Sequence, residues 1–142
     1  MSIKPVDVKY TAVATAENGR DGRVATDDGK LDVVVNPPKE MGGSGAGTNP
    51  EQLFAAGYSA CFQGALGAVA RKEGADISGS TVTAKVGIGS LPEGGFGIKV
   101  ALEAHIPSLD AAAAKDLLEK AHQVCPYSNA TRGNIEVTVD VA

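Results

Sequence analysis

Two cysteines, Cys61 and Cys125, are the side chains of this chain best suited to covalent chemistry. Thiol chemistry needs the thiolate, and an unperturbed pKa near 8.5 leaves only a few per cent of a cysteine ionised at neutral pH. Cys61 lies in a stretch rich in Ala, Gly and Ser, where a cysteine can equally be a small buried hydrophobe. The macrodipole of its own helix cannot supply the shift, because that effect fades within the first turn and Cys61 lies about three turns in. A reactive Cys61 therefore needs a cation brought from elsewhere.

Only Arg20, Arg23, Arg71 and Arg132 carry a guanidinium. Arg71 lies ten residues further along the same helix, a separation of about 15 Å. Arg20 stands between turn residues at Asn18-Gly19-Arg20-Asp21-Gly22, where its guanidinium can project away from its own sheet. It is the better donor by elimination, with a solvated loop arginine as the plain alternative. Glu51 complements the helix N-terminus in its plain reading. Beside Cys61 a carboxylate would raise the thiol pKa, so a functional Glu51 acts indirectly, holding the plane of an arginine. Ten positions separate Glu51 from Cys61, which puts them about 80° apart around the helix.

Cys125 ends a second helix at Val124-Cys125-Pro126-Tyr127-Ser128. As a resolving thiol it has reason to sit at a helix end beside a loop, since a disulfide requires Cα atoms within about 7 Å; otherwise it too is a buried small residue. The segment has a superficial likeness to a glutaredoxin site, but that motif follows an early strand of a βαβ unit. No metal site is expected, because neither Cys-x-x-Cys nor His-x-x-x-His spacing occurs. The Gly42–Gly47 loop lacks the Gly-Lys-Ser/Thr of a phosphate loop. His105 and His122 read as a solvated strand residue and a helix C-terminal residue.

The elements that must position these groups are legible. Asn49 can cap a helix with Pro50 at its first position and Gln52 placed to reach back. The pattern continues to about Lys72. Small residues nearly all round and no polar stripe predict a buried central helix. Alternation predicts strands over 4–15, 23–26 and 31–35 before it, with a flexible loop at 39–48. A strand carrying Val82, Ala84, Val86 and Ile88 and a return strand from Ile98 to Ile106 follow it. Ser108 can cap a second helix over 109–124, Tyr127–Gly133 reads as a loop, and Ile135–Val141 is a closing strand. The order βββ-α-ββ-α-β, with strands in hairpins, predicts an α+β fold of antiparallel sheet packed on the long helix.

A chain of 142 residues argues for a single domain over 1–142. A formal charge of −4 without a Lys/Arg cluster argues against nucleic acid or an anionic membrane as partner. The N-terminus has no signal-peptide pattern and no apolar run is of spanning length, so a cytoplasmic protein is expected.

The stretches NPEQLFAAGYSACFQGAL and AHQVCPYSNATRGNIEV, with the tip Gly19-Arg20-Asp21-Gly22, resemble the organic hydroperoxide resistance proteins (Ohr) of the OsmC/Ohr superfamily. The likeness covers essentially the whole chain, and VCPYSNATRGN is its most specific part. It implies an intertwined homodimer and a thiol-dependent peroxidase without metal, haem or flavin cofactor. Cys61 matches the peroxidatic cysteine, which becomes a sulfenic acid. Cys125 matches the resolving cysteine that closes a disulfide with it. Arg20 and Glu51 match the pair that orients and activates the thiolate, within one chain or across the dimer. The resemblance further implies reduction by dihydrolipoyl groups on a lipoylated protein.

The residues add a substrate argument. Phe54, Tyr58 and Phe62 lie within two turns of Cys61, with Met41 in the preceding loop. An apolar mouth favours alkyl and lipid hydroperoxides over hydrogen peroxide, because only the former gain from burial, about 0.8 kcal/mol per CH₂. A redox-sensing or small-molecule-binding dimer without turnover is the rival reading.

Overall fold

The computed structural model describes residues 3–142, in two compact units that meet in sequence at Pro50 and Glu51. In the first, β1 (Ala14–Glu17), β2 (Gly22–Thr26) and β3 (Asp32–Val35) form an antiparallel sheet in that order. The β1–β2 turn opens on Asn18 and Gly19, with φ of 59° and 57°, the left-handed conformations that Asn and Gly accept most readily. The Asn36 amide donates to Asp21 Oδ1 at 2.7 Å and ties down the far side of this turn. Arg23 grips Asp32 with two 2.7 Å bonds, although their exposure keeps the pair's worth small. A 3₁₀ turn, Lys39–Met41, lies in the loop expected to be irregular.

The first strand is shorter than its alternation predicts. Residues 4–13 carry no ladder, and Val6, Val8 and Tyr10 are 77%, 64% and 80% exposed. Alternation marks which face of a strand is apolar, but a strand also needs a neighbour for its N–H and C=O groups.

The second unit begins with α1 (Pro50–Glu73), which has Glu51 in its first turn and Arg71 and Lys72 in its last. β4 (Thr81–Ser90) and β5 (Phe96–His105) form an antiparallel hairpin, followed by α2 (Ala111–Val124), α3 (Pro126–Thr131) and β6 (Val137–Val141). β6 pairs with β5 in parallel, because the two intervening helices carry the chain back to its starting end. α2 is capped by Asp110, whose carboxylate accepts from the Ala113 N–H at 2.8 Å. Ser108, expected as the cap, instead donates to the Asp76 carbonyl.

Tyr58, Phe62, Leu66 and Ala70 of α1, Val100, Leu102 and Ala104 of β5, and Ala114, Leu117, Leu118 and Ala121 of α2 form one buried cluster. The helix is thus half a core element. Ala56, Ala60, Gly64 and Ala68, four apart along α1, face outward as an exposed stripe of small residues, where burial all round is expected from composition. Against the expectation of no apolar run of spanning length, α1 is long and apolar enough to cross a membrane, but its large apolar side chains are held in the unit's own core.

Candidate functional site

The sequence Val124-Cys125-Pro126 builds the site. A residue before proline is pushed out of the helical region, and proline suits the first position of a helix. Cys125 accordingly sits at φ −61°, ψ 123° between two helices. It ends α2 by donating its N–H to Ala121 O at 2.9 Å and begins α3 as its N-cap. The break turns α3 back toward α1, and Cys125 Sγ comes to 3.6 Å from Cys61 Sγ as thiol beside thiol. Cys61 is half-buried and Cys125 fully buried.

Burial pushes the Cys61 thiol above its ordinary value, and the neighbouring Cys125 sulfur pushes it further. The backbone N–H of Tyr127 donates to Cys61 and works the other way. Tyr127 also packs its ring 5.8 Å from Phe54 and 5.5 Å from Tyr58. This close approach needs a glycine beneath it, for a Cβ at Gly57 would stand 2.9 Å from Tyr127 Oη.

α3 is held from inside by side chains. Ser128 Oγ lies 2.8 Å from Tyr58 Oη and 2.7 Å from His122 Nδ1, and Tyr58 Oη lies 3.0 Å from Thr131 Oγ1. Arg132 donates to the His122 carbonyl at 2.8 Å and to Asn129 Oδ1 at 2.8 and 2.6 Å. Burial, with the Arg132 charge, holds His122 below the usual histidine range.

That shift carries a pH consequence. The unfolded chain takes up a proton on His122 near its ordinary pKa while the folded one resists. His122 therefore supports the fold fully above pH about 6.5, and that support is lost as pH falls through its lowered native value. His122→Gln should flatten the acid side of a Tm–pH curve between about pH 7 and 5; an acid limb as steep as the parent's assigns that loss to other groups.

The structure thus brings Cys61, Cys125, Phe54, Tyr58 and Phe62 together within the second unit. Tyr58 and Phe62 are fully buried, Tyr58 with its hydroxyl held by α3, so from solvent Phe54 is met first. Arg20 lies in the β1–β2 turn and Met41 in the 3₁₀ turn, both in the first unit, and Glu51 is the second residue of α1. Tyr127, Ser128 and His122 escape the sequence reading. The signal available for Ser128 was its spacing of three from Cys125, which puts it on the inner side of a helix that Pro126 can start. Among the described residues no group of three His, Cys, Asp or Glu could hold a metal. Two depressions of about 280 and 400 Å³ open on the β4–β5–β6 sheet, and neither is lined by a cysteine.

The family model for OsmC-like proteins matches residues 42–140. An organic hydroperoxide resistance protein of Xanthomonas axonopodis pv. citri is 54% identical over 140 residues, 97% of this chain and 98% of that protein. OhrB of Bacillus subtilis is 44% identical over 133 residues, 93% and 97% of the two chains. The crystal structure of that OhrB matches with a TM-score of 0.86, covering 94% of this chain and 98% of the other. The crystal structure of an organic hydroperoxide resistance protein from Elizabethkingia anophelis matches with a TM-score of 0.91 at 54% identity, covering 96% and 99%.

Proposed function

The chain belongs to the OsmC/Ohr family, and from that premise we propose that it reduces organic hydroperoxides to alcohols in defence against oxidative stress, by thiol chemistry at Cys61 and Cys125. The observation that carries this reading is the pair of reduced sulfurs 3.6 Å apart, one reachable from solvent and the other sealed behind it. The Cys61 thiolate attacks the distal oxygen of ROOH. The O–O bond breaks, the alkoxide leaves and takes a proton as ROH, and Cys61 is oxidised to the sulfenic acid. The Cys125 sulfur then attacks the Cys61 sulfur. Water leaves with the sulfenic oxygen, and a disulfide forms after an approach of about 1.5 Å. A dithiol of the dihydrolipoyl class on a lipoylated protein returns both sulfurs to thiols and is itself oxidised to a cyclic disulfide. No metal or organic cofactor enters this sequence.

Burial opposes the thiolate, so the reading needs a cation. We assign that part to the Arg20 guanidinium, oriented by Glu51. The substrate tail lies against Phe54 and Met41, with Tyr58 and Phe62 as the wall behind. A homodimer in the cytoplasm completes the proposal. The exposed Val6, Val8 and Tyr10 and the small-residue stripe of α1 support a second copy, since together they are apolar surface that a lone chain leaves wet.

Mass spectrometry after one equivalent of cumene hydroperoxide tests the proposal. It expects a Cys61–Cys125 bond and regeneration by dihydrolipoamide over many cycles. Stoichiometric oxidation without turnover points instead to a sensor. The apolar wall adds a graded prediction: kcat/KM should rise from hydrogen peroxide through tert-butyl to fatty-acid hydroperoxides, each buried CH₂ contributing up to about 0.8 kcal/mol. A flat series would remove the tail-binding argument.

A further inference from the structure

α3 has six residues, too few to hold its own shape in water, so its orientation comes from what it is tied to. Both of its buried polar side chains, Ser128 and Thr131, are tied to one atom of α1, Tyr58 Oη, at 2.8 and 3.0 Å. Thr131 Oγ1 also lies 3.4 Å from the Ser128 carbonyl and donates to it. Each hydroxyl has one proton to give, and one assignment that starts from that carbonyl gives every member a donor or an acceptor. In that assignment Thr131 donates to the carbonyl, Tyr58 to Thr131, Ser128 to Tyr58, and His122 Nδ1–H to Ser128. Every member of the chain has a partner, the condition under which a buried polar network specifies one arrangement. What this arrangement carries is Cys125 at the start of α3 and, two residues on, the N–H that reaches Cys61.

We propose that the Tyr58 hydroxyl, acting through Ser128, is the positioning group for the second thiol: it locks α3 so that the two sulfurs stand within closing distance. Tyr58 touches neither sulfur in this role. Without its hydroxyl, α3 keeps its covalent hinge at Cys125 and its ties to His122, but loses the two bonds that fix it to α1. The two thiols then meet less often. The consequence for turnover rests on the peroxidase reading: a sulfenic acid at Cys61 waits longer for its partner, and a second hydroperoxide oxidises it to the sulfinic acid, releasing a second alcohol.

The test is the redox equilibrium of the full chain with reduced and oxidised glutathione, read as the effective concentration of one thiol toward the other. In this exchange the pair gives two hydrogens to glutathione disulfide and closes, yielding two glutathiones, so no peroxide is involved. Tyr58→Phe keeps the ring and Ser128→Ala keeps the backbone, and each is expected to lower the effective concentration about tenfold. Ser128→Thr, which retains the hydroxyl, should restore most of it. Values within twofold of the parent in both deletion variants would overturn the proposal. A parallel measurement follows the sulfinic fraction at Cys61 under excess cumene hydroperoxide, which should rise in the same two variants. If glutathione equilibria shift while the parent forms no disulfide with hydroperoxide, the positioning role stands and the peroxidase reading falls.

Discussion

Cys125→Ser is expected to keep the first oxidation and lose turnover. Cys61 is the half-exposed sulfur and its partner is wholly buried, so the first encounter with a hydroperoxide does not need Cys125. The step that fails is the second. In the parent a thiol stands 3.6 Å from the oxidised sulfur, whereas in the variant only a thiol from solution can reach it. Losing a well-placed intramolecular partner costs on the order of 100-fold in the step it serves. Steady-state turnover with dihydrolipoamide should fall by about that factor. Whole-protein mass should show Cys61 gaining two and then three oxygens under excess hydroperoxide. Cys125→Ala, which leaves no hydroxyl in the buried site, should behave alike. Normal turnover by both variants would mean that Cys125 is a core residue and nothing more.

Arg20→Ala carries the second large effect. Burial and the neighbouring sulfur both raise the Cys61 pKa, and the Tyr127 N–H is the opposing influence within the second unit. If the guanidinium of Arg20 supplies the rest, removing it should move the pH profile of Cys61 alkylation upward by roughly one unit or more. At neutral pH that means about a tenfold loss of thiolate and a matching fall in the rate of the first oxidation. Arg20→Lys should recover part of the shift, because it returns the charge without the planar fork that a carboxylate such as Glu51 can orient. A profile that does not move in Arg20→Ala would leave Arg20 as a turn residue, and the thiolate would need another source of stabilisation.

The long helix was readable because its ends announce themselves: Asn49-Pro50 at one and Arg71-Lys72 at the other bracket the observed Pro50–Glu73. The β4–β5 hairpin was readable because ten-residue strands show their alternation clearly. α3 was not. Six residues hold fewer than two turns, too short for a period, and Pro126, which reads as the end of one helix, opens the next. With α3 unseen, the tie between Tyr58 and Ser128, which are 70 positions apart, had no basis in the sequence. Tyr58 then reads as part of an apolar mouth, whereas its ring is fully buried and its hydroxyl is satisfied by α3. The parallel pairing of β6 was hidden for a related reason: an odd or even number of reversals depends on how two short helices divide the return path.

Gly57 couples the choice of residue in two segments. The helix surface there has room for a hydrogen but not for a methyl, because the phenol of Tyr127 already occupies the space at 2.9 Å. Enlarging position 57 alone must push the Tyr127 ring aside. Tyr127→Phe removes the atom of closest approach and leaves ring carbons at 3.3–3.4 Å, within the range that small adjustments absorb. Gly57→Ala should therefore be tolerated far better in company with Tyr127→Phe than by itself, and lineages of this protein would be expected to change the two sites in concert or neither.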